Sequence, residues 1–529
     1  FLKHAQEAIN PAVNQDDTQE MLIQHILTED IFAKVFDNPD FHQQNNVASA
    51  LHALEQKLFG YGEKSKLLRA LQPYYAGISR TAAVIQSHTE KQGFLKALYE
   101  NFYKIYNLKA ADRLGVVYTP GEIVRFMIRC TDWLCERHFD KNLVDRGVEI
   151  LDPATGTGTF IVELLEHFRG DRKKLKHKYL EELHANEVAI LPYYVANLNI
   201  EATYLAITEE FTEFANLCFV DTLDNVSGLG IHSGHQFDLL GTLSDENIER
   251  IKRQNRRRIS VIIGNPPYNA NQQNENDNNK NRLYDHIDRR IKDTYIAAST
   301  AQKTKLYDMY SRFYRWASDR LGDEGIVSFV TNRSFIDGRT FDGFRKLVAA
   351  DFGEIRIVDL GGDVRVNPRL SGTKHNVFGI QTGVAICFLV KNAKSKKHAI
   401  YYTRRPEEET AEDKLSWLNS VDVSKMEATS IKPNVRFDWV NQSDDTEWSQ
   451  LMPIADQSTK ATTSRGQDRS IFKLFSLGVV TARDDWAWNK SKEELARRIQ
   501  FTIDVYNRYL AEAKKAGKSY DFEAVYERG

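Results

Sequence analysis

The sequence predicts an α/β fold: a mostly parallel sheet covered by helices on both faces, preceded by an all-helical segment and followed by a partial second domain. Three observations predict it. From about residue 111 to residue 403, short apolar runs alternate with amphipathic stretches, the pattern of parallel strands joined by helical crossovers. Residues 1 to about 110 carry helical spacing and few strand-like runs. From residue 404 charged and polar residues dominate, and Trp417, Trp439, Trp448 and Trp486 follow. The expected boundaries are therefore 1–110, 111–403 and 404–529. At 529 residues the chain is too long for one core.

The elements follow in order. Leu51, Leu54 and Leu58 predict a helix over Ala50 to Phe59, and Leu95, Leu98, Phe102 and Ile105 another over Phe94 to Tyr106. Ile123, Phe126, Met127, Cys130 and Leu134 mark one helix face. Val148 to Leu151 reads as a strand, Thr159 to Phe168 as a helix, and Leu183 to Glu187 as a short strand. A helix runs through Tyr193, Ala196, Ile200 and Tyr204, and a strand-like run ends at Phe219-Val220-Asp221. Ile259 to Gly264 is a buried strand leading into Asn265-Pro266-Pro267-Tyr268. Leu306 to Leu321 is helical, Ile326 to Thr331 extended and Phe341 to Ala350 helical. Ile355 to Leu360 and Val384 to Val390 close the sheet. Asn269 to Asn281 is polar and Asn-rich, which predicts a loop. Asp152, Glu187, Asp221 and Asn265 all fall at predicted strand ends, where ligands of such sheets bind.

Composition is that of an ordinary globular protein, with 42% hydrophobic and 27% charged residues. The four cysteines form no Cys-x-x-Cys pair, so neither a disulfide nor a metal framework is expected, and a reducing, cytoplasmic location is. No long uncharged apolar stretch or signal peptide is present, so no membrane association is expected. The chain begins at Phe1, which predicts a processed chain or a piece of a longer one. Basic charge is local, in Arg172 to Lys178 and Lys252 to Arg258. Such runs read first as solvated helix ends or loops. They face a nucleic acid only if they line one cleft.

The chemistry concentrates at two strand ends. In Asp152-Pro153-Ala154-Thr155-Gly156-Thr157-Gly158-Thr159-Phe160 the glycines let backbone approach a ligand closely. Ile161 occupies the third glycine position of the dinucleotide fingerprint, which disfavours NAD. Asp152 is placed to accept from an ammonium group, Glu187 from two ribose hydroxyls, and Asp221 from an adenine amine. In the tetrapeptide, the Asn265 side-chain carbonyl and the Pro266 backbone carbonyl can hold the two hydrogens of an exocyclic amine. Pro266 and Pro267 stiffen the loop, and Tyr268 offers a face for a base taken out of its stack. Together these predict S-adenosylmethionine-dependent methylation of an exocyclic amine. Methylation at a ring carbon needs a cysteine nucleophile, typically beside proline, and none of the four cysteines has one. Gly60 to Ser65 misses the spacing of a phosphate loop.

At these residues the chain resembles the gamma-class N6-adenine DNA methyltransferases. Their order of Tyr-Thr-Pro, Asp-Pro-x-x-Gly-x-Gly-x-Phe and Asn-Pro-Pro-Tyr is matched by Tyr118-Thr119-Pro120, Asp152 to Phe160 and Asn265 to Tyr268. The resemblance implies a Rossmann-like methyltransferase sheet. It implies that Tyr118, Thr119, Pro120, Asp152, Ala154, Thr155, Gly156, Gly158 and Phe160 surround S-adenosylmethionine, with Glu187 on its ribose and Asp221 on its adenine. It makes Asn265, Pro266, Pro267 and Tyr268 catalytic, and Phe378 of Asn376-Val377-Phe378 a second aromatic on the flipped base. With its flanks, the chain is similar to the methyltransferase section, with helical coupler, of type I SP single-chain restriction–modification enzymes. That implies 1–110 as coupler, 111–403 as methyltransferase and 404–529 as linker and start of a target recognition domain. It also implies double-stranded DNA with a specific site as substrate, and a covalently linked nuclease–motor section upstream. Two other readings stay open: methylation of another amine or amide, such as protein glutamine or RNA guanine, and a catalytically silent DNA-binding or assembly module.

Overall fold

The computed structural model describes residues 15–35, 45–59, 68–85, 119–229, 245–268, 283–300, 306–364, 372–392, 398–442 and 487–516, with isolated positions between them. The predicted helix beyond Phe94, the Asn269–Asn281 loop, Trp448 and Trp486 lie outside the described residues. The chain divides into two compact units at Gln442 and Ser443. Among its described residues the second contains a bridge between Ala455 and Phe472 and the helix Lys492–Ala516.

The first unit begins with helices α1 (Gln15–Val35), α2 (Asn46–Leu58) and α3 (Gln72–Val84). After α4 (Gly121–Phe139) come β1 (Ile150–Asp152), α5 (Thr159–His167), α6 (Arg172–His177), β2 (Leu183–Glu187), α7 (Ile190–Thr208) and β3 (Leu217–Phe219). The second half has α8 (Asp245–Asn255), β4 (Val261–Gly264), α9 (Asp285–Ile291), α10 (Met309–Arg320), β5 (Glu324–Asn332) and α11 (Asp342–Asp351). It ends with β6 (Glu354–Gly361), β7 (Val384–Asn392), β8 (Ala399–Arg404), α12 (Ala411–Ser420) and β9 (Thr429–Ile431).

One nine-stranded sheet orders these strands β3-β2-β1-β4-β5-β7-β6-β8-β9. The five strands from β3 to β5 are mutually parallel. β7 runs antiparallel between β5 and β6. The fold is thus the mostly parallel α/β sheet that the alternation predicts. β1, β2, β3 and β4 are buried along their whole length, as strands covered on both faces must be. From β1 the chain builds outward on one side through β2 and β3, then returns to β4 and builds the other way. The switch point therefore lies between β1 and β4, where a crevice opens at the carboxyl ends.

Three features depart from the sequence pattern. α7 is buried on all sides, not on one face. One side meets the sheet, and the other is covered by the N-terminal helices, where His25 Nδ1 lies 3.0 Å from the Tyr194 hydroxyl and Asn45 Nδ2 donates to Asn197 Oδ1 at 3.0 Å. α8 turns a largely polar face inward, burying Asn247, Arg250 and Gln254 beside Ile251. Asn247 accepts from Phe219 N and donates to Phe219 O, so its amide covers the free edge of β3. β8 and β9 extend the sheet past the strands the pattern picks out. They are only partly buried, so their apolar signal is weak.

The basic runs lie at the amino ends of the parallel strands, opposite the crevice. Lys174 pairs with Asp145 at 2.8 Å and Lys176 with Glu210 at 2.9 Å. Lys178 is fully buried on Glu182 and the Val148 carbonyl. Arg257 bridges Glu149 and Glu181. Both runs neutralise local carboxylates, which is the solvated-surface reading for most of their residues and a buried structural pair for Lys178.

Candidate active site

Strand register assembles the site. Leu151 pairs with Ile262, which sets Gly264 level with Pro153 and Asn265 beside the Gly-rich turn. Glu187 pairs with Phe219, which brings Asp221 to the same edge.

The turn after β1 is built on its own carboxylates. Asp152 is fully buried; Oδ1 accepts from Ala154 N at 3.2 Å and Oδ2 from Thr155 Oγ1 at 2.8 Å. Glu187 Oε2 accepts from Gly156 N at 2.8 Å, while Oε1 accepts from Val188 N and Ala189 N. Thr155 N donates to Asn186 O, and Thr222 Oγ1 donates to Pro153 O at 2.6 Å. The turn is therefore tied to β2 and to the end of β3. Its glycines differ in purpose. Gly158 has φ +85°, and a Cβ there would lie 3.1 Å from Ala196 Cα in α7. Gly156 has φ +55°, and a Cβ would meet nothing within 4 Å, so its backbone borders open space. Phe160 is buried in the core cluster.

The tetrapeptide abuts this turn. A Cβ on Gly264 would lie 2.8 Å from Asp152 Oδ1, so only glycine lets β4 end there. Asn265 Nδ2 donates to Thr119 Oγ1 at 2.8 Å, just before α4. That contact fixes the amide plane, with the carbonyl oxygen as the end that accepts from another donor. Pro266 is buried and Pro267 half-buried. The Tyr268 ring meets Phe378 edge to face, centroids 5.9 Å apart. Among the described residues nothing hydrogen-bonds the buried Tyr268 hydroxyl. Tyr118 lies outside the described residues.

Sequence reading missed several positioning groups. Asn376 is 3% exposed and ties off a whole turn. Its Nδ2 donates to Gly362 O and Thr382 O, and its Oδ1 accepts from Phe378 N and Ile380 N. This turn carries Phe378 to Tyr268. Thr222 and Gly264, each next to a residue already singled out, had only that adjacency as a signal. Tyr284, whose hydroxyl donates to Asp221 Oδ2 at 3.0 Å, had none.

Burial raises the Asp152 and Glu187 carboxyls to about 7, each against its hydrogen bonds, and for Glu187 the nearby Asp152 adds to the rise. Two neighbouring acids so disposed favour a cation between or beside them. All four cysteines are buried. Burial pushes the thiols of Cys135, Cys218 and Cys387 up to about 12, and Cys130 also upward, so none offers a thiolate nucleophile near neutral pH. Away from this site, His25, His52 and Glu55 place candidate ligand atoms within 4.8 Å of one another. Glu55 there is ion-paired to Lys64 at 2.9 Å. No helix among the described residues is long and apolar enough to cross a membrane.

Three family models match in chain order. Residues 1–90 match the coupler domain of Type ISP restriction-modification enzymes, residues 122–366 the Eco57I restriction-modification methylase, and residues 470–524 the Type ISP C-terminal specificity domain. No curated protein matches. Among solved structures, the DrdV–DNA complex is 52% identical with TM-score 0.88, covering 96% of this chain and 49% of that one. The ATP-dependent Type ISP restriction-modification enzyme LlaBIII bound to DNA is 34% identical with TM-score 0.86, covering 96% and 34%. A nuclease-deletion mutant of the Type ISP enzyme LlaGI with a DNA substrate mimic is 33% identical with TM-score 0.83, covering 98% and 41%. The chain thus spans half or less of each of these relatives. By the order of its three matched segments and by its fold, the chain belongs to the Type ISP restriction–modification family, as a section made of coupler, methylase and the specificity region.

Proposed function

We propose that this chain transfers the methyl group of S-adenosylmethionine to the N6 amine of an adenine flipped out of double-stranded DNA at a specific site. In this reading it serves within a larger restriction–modification enzyme that carries a nuclease–motor section upstream. The observation that carries the proposal is the juxtaposition of the Asn265 amide, fixed by Thr119, with the Gly-rich turn on Asp152. The Asn265 side-chain and Pro266 backbone carbonyls would hold the exocyclic amine, and S-adenosylmethionine, held along the Gly-rich turn, would supply the methyl group. Sulfonium transfer needs no covalent intermediate. Asp152 holds the turn and faces the cofactor's ammonium group, Glu187 its ribose, and Asp221 its adenine amine. Thr119 and Pro120, just before α4, border the pocket, and the Tyr-Thr-Pro motif assigns Tyr118 to the cofactor as well, while Tyr268 and Phe378 hold the flipped base. The test is to incubate the chain, alone and within its full-length enzyme, with DNA and labelled S-adenosylmethionine, then digest the DNA to nucleosides. N6-methyladenine is the expected product; label in another base or in protein would overturn the reading.

Binding should depend on pH. A carboxyl raised to about 7 is still protonated in the folded chain where its unfolded counterpart, near 4, is already ionised. The ligand-free fold therefore loses stability as pH rises from about 4 to about 7. A cationic cofactor favours the ionised carboxylates, so its binding releases protons and tightens with rising pH. The gain is at most about tenfold per proton for each pH unit below about 7. Calorimetry in two buffers of different ionisation enthalpy reads this directly. A flat profile with no proton release would separate these carboxyls from the cofactor's charge.

Tyr268→Ala should weaken capture of the flipped base by about 1–3 kcal/mol, the scale of base–aromatic stacking. Tyr268→Phe keeps the ring and removes a buried hydroxyl that no described group bonds. It should retain most capture and cost no stability. Fluorescence of 2-aminopurine at the target position measures both. Equal losses in the two variants would assign the effect to the hydroxyl, not to stacking.

A further inference from the structure

Tyr284 belongs to none of the motifs, yet it is built into the end of β3. It precedes α9 and is 7% exposed. Its hydroxyl donates to Asp221 Oδ2 at 3.0 Å. Its backbone N–H donates to Asp288 Oδ2 at 3.0 Å. The same Asp288 carboxylate takes both Nε and Nη2 of Arg312, at 2.7 and 2.9 Å. That guanidinium lies 5.2 Å from the centre of the Tyr284 ring. The residue is thus held at two points, its backbone N–H by Asp288 and its ring face by the Arg312 guanidinium that Asp288 binds bidentately. Meanwhile Asp221 Oδ1 accepts from Leu223 N at 3.1 Å. The carboxylate is therefore oriented from both sides, by a backbone N–H on one oxygen and a buttressed phenol on the other.

A carboxylate selects an amine over a carbonyl only if its oxygens are aimed before the ligand arrives; otherwise it turns away at little cost. We propose that Tyr284 is a positioning residue for recognition of the cofactor's purine 6-amino group, acting through Asp221. This rests on the reading that Asp221 accepts from the cofactor adenine. Tyr284 touches no reacting atom; its hydroxyl sets the direction in which Asp221 accepts.

Two ligands differing only at that purine position test it. S-adenosylhomocysteine carries a 6-amino group, and S-inosylhomocysteine carries a 6-oxo group that has no hydrogen to give a carboxylate. Their dissociation constants are measured with the full chain as wild type, Tyr284→Phe and Asp221→Ala, with thermal unfolding recorded alongside. Tyr284→Phe keeps the ring, the cation on its face and the backbone bond to Asp288. Wild type should prefer the amino ligand. Tyr284→Phe should lose about tenfold in affinity for it, the scale of one hydrogen bond to a charged group, while binding the oxo ligand as before. Asp221→Ala should lose the preference altogether. Equal weakening of both ligands in Tyr284→Phe, or no change in either, would overturn the proposal and leave the Asp221 reading intact. A wild type that binds both ligands alike would overturn the Asp221 reading, and the proposal with it.

Discussion

Asn265→Ala is expected to lower methyl transfer by at least about 10²-fold, the scale on which single preorganised polar groups count in active sites, with S-adenosylmethionine affinity nearly unchanged. Asn265 donates through Nδ2 to Thr119 Oγ1, so its carbonyl is held in one direction before substrate enters. An exocyclic amine is a poor nucleophile because its lone pair is delocalised into the ring. Holding its two hydrogens on fixed acceptors favours the pyramidal, nucleophilic form, so the interaction strengthens toward the transition state and its loss falls on kcat. Alanine removes the acceptor and leaves the Gly-rich turn, with its own bonds among Asp152, Thr155, Gly156 and Glu187, in place. Single-turnover methylation beside calorimetric titration separates the two quantities. Loss of cofactor binding in this variant, with transfer limited only by that loss, would move Asn265 from the amine to the cofactor.

The converse is expected of Asp152→Ala: S-adenosylmethionine affinity should fall by about 10²-fold, since two hydrogen bonds to a charged group are lost from the turn. Methyl transfer should recover in part at high cofactor concentration. Asp152 is fully buried and engages Ala154 and Thr155, so its first effect is on the shape of the turn. Asp152→Asn keeps the volume and one acceptor, and should fall between wild type and alanine. Unchanged affinity in both variants would mean that Ala154, Thr155 and Gly156 hold their geometry through Glu187, Asn186 and Thr222 alone.

Most of the sheet was legible in the chain. β1, β3, β4, β5, β6 and β7 announce themselves by their apolar residues, as strands covered on both faces do, while β2, Leu183-His184-Ala185-Asn186-Glu187, is equally buried yet mostly polar and shows only as a short run before Glu187. The Gly-rich turn and the tetrapeptide announce themselves because their residue types are demanded by backbone conformation and by acceptor chemistry. What escaped the pattern escaped for one kind of reason. α8 turns Asn247 inward to bond both backbone groups of Phe219 at the edge of β3 and buries Arg250 and Gln254 on the same face, which leaves that face little apolar signal. β8 and β9 lie at the sheet's far edge, where half-burial leaves little apolar signal. Gln442 ends the first unit because Arg345 of α11 reaches the Phe437 carbonyl and Asp438, and Trp439 is buried beside it. Such contacts join residues about ninety positions apart and leave no local mark.

The sequence by itself determined the α/β class, the order of most elements and which side chains carry chemistry, because periodicity, turn residues and functional groups are local properties of a chain. Only the tertiary structure decided how those groups meet. Pairing of Leu151 with Ile262 brings the tetrapeptide against the turn, and the Asn376 turn brings Phe378 to Tyr268 across about a hundred residues. Tyr284 is joined to Asp221, and burial raises two carboxyls together. Register, long-range hydrogen bonds and desolvation depend on what lies across the fold, and no window of sequence contains them.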